Sequence, residues 1–320
     1  MGLFGGARKN RRFTGQTGVF ITPQGLSLAH VSTGADGQAR LERCETLSLV
    51  AGDAERSFAE GVRRLELENT ATVAVIEQGN YHLLQVELPE VPEAELKDVV
   101  RWRIKDLIDF PLDEAVVDVC LMPSPRGRGR GNAAYVVAAR QQLVQQDAAL
   151  LKAGRLRLQA MDIPELALRN LAVRLPEDAQ GVALLYLGRA RGLITLTRGG
   201  VLYFARNISL GLDHLERGRT AGPDGAGAPL EPMIDSIVLE VQRSLDYYES
   251  NFSQPTPALL ALAPLEIPCP ELLAALNQNF GGRAKPFPLE SLVTGLELAE
   301  AEQARSFLAI GAALRREVAG

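Results

Sequence analysis

Residues 182–187, VALLYL, form an unbroken apolar run, the pattern of a strand buried on both faces. A short turn over 188–192 follows, and residues 193–198 continue with Leu, Ile and two Thr, types that suit a pleated surface. Gly199-Gly200 is a two-residue hairpin signal, so residues 201–208 return as a third strand. Nearer the start, residues 18–21 and 26–31 read as strands joined by Thr22-Pro23-Gln24-Gly25, where Pro second and Gly fourth fit a type I turn. The pattern then predicts a strand over 41–50, a helix over 54–67 and a strand over 70–76.

A module with its own rhythm comes next: a strand over 81–88, a helix over 93–109, strands over 115–122 and 133–140, a helix over 141–153 and a strand over 156–161. Asp162 reads as an N-cap before a helix opened by Pro164. Residues 216–229, rich in Gly, Pro and Arg, read as a loop. A long helix over 232–252 carries Ile234, Val238, Val241, Leu245, Tyr248 and Phe252 in one stripe. A strand over 257–263, a helix over 270–280 closed by Gly281-Gly282, and a last helix over 303–318 complete the chain.

The helix predicted over 93–109 is amphipathic when counted at about 100° per residue. Leu96, Val99, Val100, Ile104, Leu107 and Ile108 share one face, which should pack on the small sheet. Trp102, the single tryptophan, falls on the opposite face, with Arg101 and Lys105 beside it. It serves either as a cover between subdomains or as a partner-binding anchor, since buried Trp is enriched at binding hot spots.

Composition adds bounds. The 320 residues suggest about two domains, and 46% hydrophobic residues supply ample core. A net charge of −5 argues neither for nor against a nucleic-acid partner; only a local basic cluster could. One such cluster, the Arg-Gly run over 126–131, has no interleaved aromatic to stack on bases and reads as a hairpin loop. No apolar run approaches the roughly 18–20 residues of a spanning helix, and the opening MGLFGGARKNRRF lacks the apolar core of a secretory signal. The expectation is a cytoplasmic chain with a basic tail over 1–15. That tail reads as a solvated terminus or as a weak contact with an anionic membrane surface. Cys44, Cys120 and Cys269 are far apart, without a metal-ligand spacing, and read as small buried hydrophobes. His30, His82 and His214 have no motif partners, and no Walker A loop or G-x-S-x-G elbow is present.

The meander over 181–211 resembles the second phosphate loop of the actin-like ATPases, and in particular the PilM/MshI family of type IV and mannose-sensitive haemagglutinin (MSHA) pilus biogenesis. The hairpin at 18–31 is similar to their first phosphate loop. The run VVRWRIKDLIDFPLDEAVVD over 99–118, the QRSLDYY run ending at Tyr248 and the FLAIGAALR run ending at Arg315 are also similar to PilM-like sequences. The resemblance implies an α/β actin-like ATPase fold, a duplicated ribonuclease H-like architecture of two lobes with an inserted strand–helix–strand–strand subdomain. The first lobe would be 16–78 plus 156–180, the insertion 79–155 and the second lobe 181–320.

It also implies where a nucleotide site would sit: Thr22, Gln24 and Gly25 in the first loop, and Gly188, Arg189, Arg191 and Gly192 in the second. Both loops depart from the family pattern. Phe20 stands where the first Asp would be, Tyr186-Leu187-Gly188 stands where an Asp-Ile-Gly would be, and Pro23 removes a backbone N–H from the loop. Between Gly181 and Leu212 there are four arginines (Arg189, Arg191, Arg198, Arg206) and no acid, whereas magnesium needs carboxylates. The strand over 257–263 ends without the glycine pair of an adenosine motif. Asp162 is the one carboxylate kept as a nucleotide-site remnant.

The expectation is therefore a non-catalytic adaptor with no cofactor; the alternative is an ATP-binding assembly protein that uses ATP and Mg. Its partner would be the cytoplasmic N-terminal segment of a bitopic inner-membrane protein of the PilN/MshJ kind, bound between the first lobe and the insertion near Arg101, Trp102 and Lys105. Peripheral contact with the inner membrane and homo-oligomerisation stay open.

Overall fold

The computed structural model describes residues 14–23, 25–49, 52–88, 93–122, 133–220, 229–295 and 297–316. The chain begins with β1 (Gln16–Thr22), β2 (Gly25–Thr33), β3 (Ala39–Leu47), α1 (Ala54–Arg64) and β4 (Ala71–Val75). It continues with β5 (Tyr81–Glu87), α2 (Glu93–Arg103), β6 (Ala115–Leu121), β7 (Ala133–Arg140), α3 (Gln141–Ala153), β8 (Arg157–Asp162) and α4 (Pro164–Ala172). The second half has β9 (Val182–Leu187), β10 (Gly192–Arg198), β11 (Val201–Ile208), α5 (Leu212–Thr220) and α6 (Leu230–Phe252). Last come β12 (Leu259–Leu262), α7 (Pro270–Asn279), β13 (Ala284–Pro286), α8 (Leu289–Leu292), β14 (Val293–Gly295) and α9 (Glu300–Ala313).

Two large sheets share one plan. In the first, ordered β14-β3-β2-β1-β4-β8, an antiparallel meander β3-β2-β1 is continued by parallel strands β4 and β8. In the second, ordered β11-β10-β9-β12-β13, the meander β11-β10-β9 is continued by parallel β12 and β13. A separate three-stranded antiparallel sheet, β5-β7-β6, is the insertion. The duplication expected from the resemblance is thus visible in strand order alone.

Helices α4 and α9 lie between the large sheets, in a core that joins Val73 and Val75 of the first sheet to Val182, Leu184 and Ala261 of the second through Leu168, Phe307 and Ile310. Two glycines let these layers close. A Cβ on Gly18 would stand 1.8 Å from the carbonyl oxygen of Ala309, and one on Gly311 would stand 2.4 Å from that of Ala167. Only a residue without a side chain allows β1 to meet α9, and α9 to meet α4, this closely.

The outer face of the first sheet is covered by Phe58 and Val62 of α1 and by Leu151 of α3. The outer face of the second is covered by Val241, Leu245 and Tyr248 of α6 and by Leu272 and Leu276 of α7. In the small sheet, Val86, Val136 and Ala138 pack on Val100 and Ile104 at the end of α2.

Several expectations are corrected. Residues 141–153 pack on the first lobe through Leu151 rather than belonging to the insertion. Residues 293–313 leave the second lobe, since β14 pairs with β3 and α9 packs on β1 and β2. The helix expected over 93–109 stops at Arg103, residues 104–107 form turns, and Leu107 is 55% exposed instead of lying in the apolar stripe. Residues 216–220 of the expected loop are helical, as the end of α5, while 221–228 lie outside the described residues. Asp162 ends β8 and does not cap α4, whose N-cap is Ile163. Cys269 is buried as expected, Cys44 half-buried, and Cys120 exposed. The basic tail up to residue 13, the Arg-Gly run over 126–131 and Gln24 lie outside the described residues.

Candidate functional site

The β1–β2 hairpin and the turn after β9 face each other across a cleft. A cavity of about 660 Å³ lies there, walled by Phe20, Thr22 and Gly25 on one side and by Tyr186, Gly188 and Arg189 on the other. Arg191 also lines it, whereas Gly192 does not, because it opens β10 and pairs with Leu187. Of the seven residues expected from the phosphate loops, the cleft therefore brings together Thr22, Gly25, Gly188, Arg189 and Arg191. Glu77, Asp213, Glu266 and Arg305 join them from other elements. No local motif marks these four. Glu77, Asp213 and Glu266 come from the segments that follow β4, β11 and β12, where ligands of open α/β sheets usually collect, and Arg305 comes from α9.

Hydrogen bonds within the loops are largely used internally. Thr22 Oγ1 donates to the Gly25 carbonyl at 3.0 Å, and the Gly188 N–H donates to the Arg191 carbonyl at 2.9 Å. The Leu212 and Asp213 N–H groups donate to the Gly188 and Arg189 carbonyls, each at 2.9 Å. The first turn of α5 is thereby tied to the loop. At the two strand positions where the resemblance would place carboxylates stand rings: Phe20, half-buried, and Tyr186, buried. Burial, with Glu266 and Glu77 nearby, holds the Tyr186 phenol well above its ordinary range.

The cleft's acids are mostly paired. Arg189 Nε lies 2.9 Å from Asp213 Oδ1, its Nη2 lies 3.7 Å from Glu216 Oε2 and its Nη1 lies 3.6 Å from Glu266 Oε2. Arg305 Nη1 reaches Glu266 Oε1 at 3.4 Å. Glu77 stands apart from these pairs, and burial together with the charge of Asp147 raises its carboxyl. Among the described residues, no group of three or more His, Cys, Asp or Glu could hold a metal ion.

A second region lies between the insertion and the first lobe. β8 is the last strand of its sheet and β6 the last of the small one. Arg157 and Gln159 on β8 are exposed, as are Val116, Asp118 and Cys120 on β6. α3 touches both strands. Desolvation raises the Cys120 thiol, and it also feels the charges of Arg169, Asp118 and Asp162, which places it near the end of β8 and α4. Asp162 itself is raised by burial, opposed by Arg315, whose Nη1 is 3.1 Å from Oδ1, and by Arg169 and Asn170. Two sheet edges therefore flank α3, and sheet edges are templates for an added strand.

The expected partner residues stand elsewhere. Trp102 is 70% exposed, with the Lys105 ammonium 6.0 Å from its ring centre. Arg101 is turned inward, donating to the carbonyls of Leu112 at 2.5 Å and Ala115 at 3.2 Å. Along β6, Ala115, Val117 and Val119 face α2, so the alternating Val116 and Cys120 face the other way, while Asp118 is reached by Lys97 of α2 at 2.8 Å. The small sheet separates Trp102 from Cys120.

Residues 62–218 match the family model described as type IV pilus assembly protein PilM. Over this segment the chain is similar to PilM. The PilM-like segment holds the whole insertion, α4, the β9–β11 meander and most of α5. A solved structure described as a PilM-PilN type IV pilus biogenesis complex is similar at a TM-score of 0.71 and 20% identity, covering 94% of this chain and 98% of that one. The cytoplasmic domain of EpsL, an inner-membrane component of the type II secretion system of Vibrio cholerae, reaches 0.49 at 13% identity, covering 93% and 95%. The ethanolamine utilization protein EutJ from Carboxydothermus hydrogenoformans reaches 0.47 at 12% identity, covering 93% and 88%. No protein of curated function matches the sequence. The fold of this chain is that of the actin-like ATPases.

Proposed function

We propose that this chain is a cytoplasmic, non-catalytic adaptor of a type IV pilus assembly machine. It binds, as an extended strand, the cytoplasmic N-terminal segment of a bitopic inner-membrane protein of the PilN kind. The observation that carries this reading is that β6 and β8 are each the last strand of their sheet and that α3 touches both, so each sheet presents a backbone edge beside this helix. Main-chain bonds to such an edge supply affinity, and pockets for alternate side chains supply selectivity. The similar structure is described as a PilM-PilN complex, which supports the partner class. The cleft supports the absence of catalysis: rings occupy both expected carboxylate positions, and Arg189 is held by acids instead of facing a phosphate.

The test uses Cys120, which is exposed on β6 while Cys44 is half-buried and Cys269 buried. A fluorescent peptide with the N-terminal segment of the organism's own PilN-like protein should bind saturably. A bulky maleimide adduct at Cys120 should abolish that binding, and the labelled Cys120→Ser control should retain it. Binding that survives the adduct would move the site away from β6.

A second reading rests on the cleft itself. Its volume of about 660 Å³ falls in the range of small-ligand sites, and it lies between the two loops where actin-like proteins hold ATP. In that reading Glu77 is the carboxylate available to order magnesium or water. Calorimetry with ATP, with and without magnesium, separates the readings: magnesium-dependent binding favours the second.

A further inference from the structure

We propose that Glu266 is the keystone of an ion-pair clasp that joins the two lobes across the cleft. It stands where a magnesium–nucleotide complex would hold the lobes of an actin-like ATPase, and it rests on the reading that this cleft carries no such complex. Glu266 follows β12 in the second lobe. Its two oxygens serve different sides: Oε2 lies 3.6 Å from Arg189 in the turn after β9, and Oε1 lies 3.4 Å from Arg305 on α9. α9 is anchored to the first lobe, where Ser27 Oγ on β2 donates to the Arg305 carbonyl at 2.8 Å. The chain of charges Asp213–Arg189–Glu266–Arg305 therefore runs from one lobe to the other.

All three guanidinium nitrogens of Arg189 face a carboxylate, those of Asp213, Glu216 and Glu266. A cation so surrounded is neutralised towards any further anion, so the clasp also masks the cleft against phosphate. These side chains are between 29% and 52% exposed, which keeps the clasp open to screening. The Debye length falls from about 8 Å at physiological ionic strength to about 3 Å at 1 M, so salt should loosen it. Single exposed pairs contribute little, but connected charges act together.

The experiment compares the full chain with Glu266→Gln, which keeps the side-chain shape and removes the charge. Hydrogen exchange is read at the Gly188, Leu212 and Asp213 amides, which close the turn onto α5, at about 0.05 M and 1 M salt. The wild type should exchange several-fold faster at high salt, and Glu266→Gln should show the fast rate at both. Inorganic pyrophosphate without magnesium should bind Glu266→Gln several-fold more tightly than the wild type, since Arg305 and the Nη1 side of Arg189 lose their carboxylate while Asp213 and Glu216 still hold the rest of Arg189. Equal exchange in the two proteins at low salt, or equal pyrophosphate affinity, overturns the clasp. Magnesium–ATP binding by the wild type instead overturns the reading of the cleft, and is scored separately from both measurements.

Discussion

The Tyr186 ring of β9 stacks on Phe307 of α9, with centroids 6.4 Å apart and planes 6° from parallel. Phe287 meets the same Phe307 edge-on at 5.1 Å and 84°. The residue standing at an expected magnesium-site position is thus part of the core that joins second-lobe sheet to interlobe helix. Restoring the carboxylate there should not restore chemistry. Tyr186→Asp removes a buried ring, typically about 3–5 kcal/mol, and strands an acid among apolar groups. It should lower stability in denaturant unfolding by at least about 3 kcal/mol and yield no magnesium-dependent ATP hydrolysis. The wild type should also show none above background. Wild-type turnover that disappears on altering Gly188 would sink this account.

Glu165, in the first turn of α4, is buried and accepts a hydrogen bond from the Tyr81 hydroxyl at 2.5 Å. Desolvation pushes its carboxyl up to about 7, against an ordinary value of 4.5, with the Tyr81 bond acting the other way. The folded state therefore holds a proton that the unfolded state has lost. Between about pH 4.5 and about pH 7 the fold binds more protons, so this group's contribution falls as pH rises through that window and is flat above it. Glu165→Gln keeps an acceptor for Tyr81 and removes the ionisation. It should gain roughly 2–3 kcal/mol relative to the wild type at pH 8 and little at pH 4. A pH-independent difference between the two proteins would show that Glu165 does not titrate in this way.

His30 acts with the opposite sign. It is buried on β2, with Nδ1 2.9 Å from Thr17 Oγ1, which in turn lies 2.8 Å from Thr70 Oγ1. Desolvation lowers its imidazole from 6.5 to about 4; the charge of Glu42 partly opposes this. Its contribution is present above about pH 6.5 and is lost as pH falls towards about 4, because the unfolded chain takes up the proton first. His30→Gln should be less stable than the wild type at pH 7 through lost packing. It should also lose less stability between pH 7 and pH 4, by roughly 2–3 kcal/mol. Parallel denaturation curves for the two proteins across that range would contradict this.

Local pattern carried some elements fully and missed others for identifiable reasons. β9, β11, β7 and α3 have the limits expected from their apolar runs and the Gly199-Gly200 turn. The helix over 93–109 was overextended because Ile104 and Ile108 continue its apolar spacing. In the fold Ile104 reaches the small core from a turn, and Leu107 points to solvent. The C-terminal segment joins the first lobe for a topological reason. β14 has three residues, and its pairing with β3 spans some 250 positions, which no local signal encodes. The cleft's two loops were readable from residue types, whereas Glu266 and Arg305 were not, since each lies in an unremarkable segment. The β6 and β8 edges were equally hidden, because being an edge strand is a property of sheet order and not of composition.

Trp102 gives the clearest discrimination between two placements of the partner. From the sequence it forms, with Arg101 and Lys105, one wall of a site between the insertion and the first lobe. In the fold it stands on the outer face of α2, 70% exposed, with the small sheet between it and Cys120. Arg101 is committed to the carbonyls of Leu112 and Ala115. Exposed substitutions usually change stability by no more than about 0.5 kcal/mol, so Trp102→Ala should leave the melting temperature nearly unchanged. If the partner segment lies along the β6 and β8 edges, its affinity should also be nearly unchanged, while the Cys120 adduct abolishes binding. If the outer face of α2 is the anchor, Trp102→Ala should weaken binding by about 2 kcal/mol or more, as loss of a hot-spot Trp does. The adduct should then have little effect. Fluorescence titrations of the same peptide against both proteins decide the matter, and loss of binding in the Trp102 variant alone would overturn the placement at these edges.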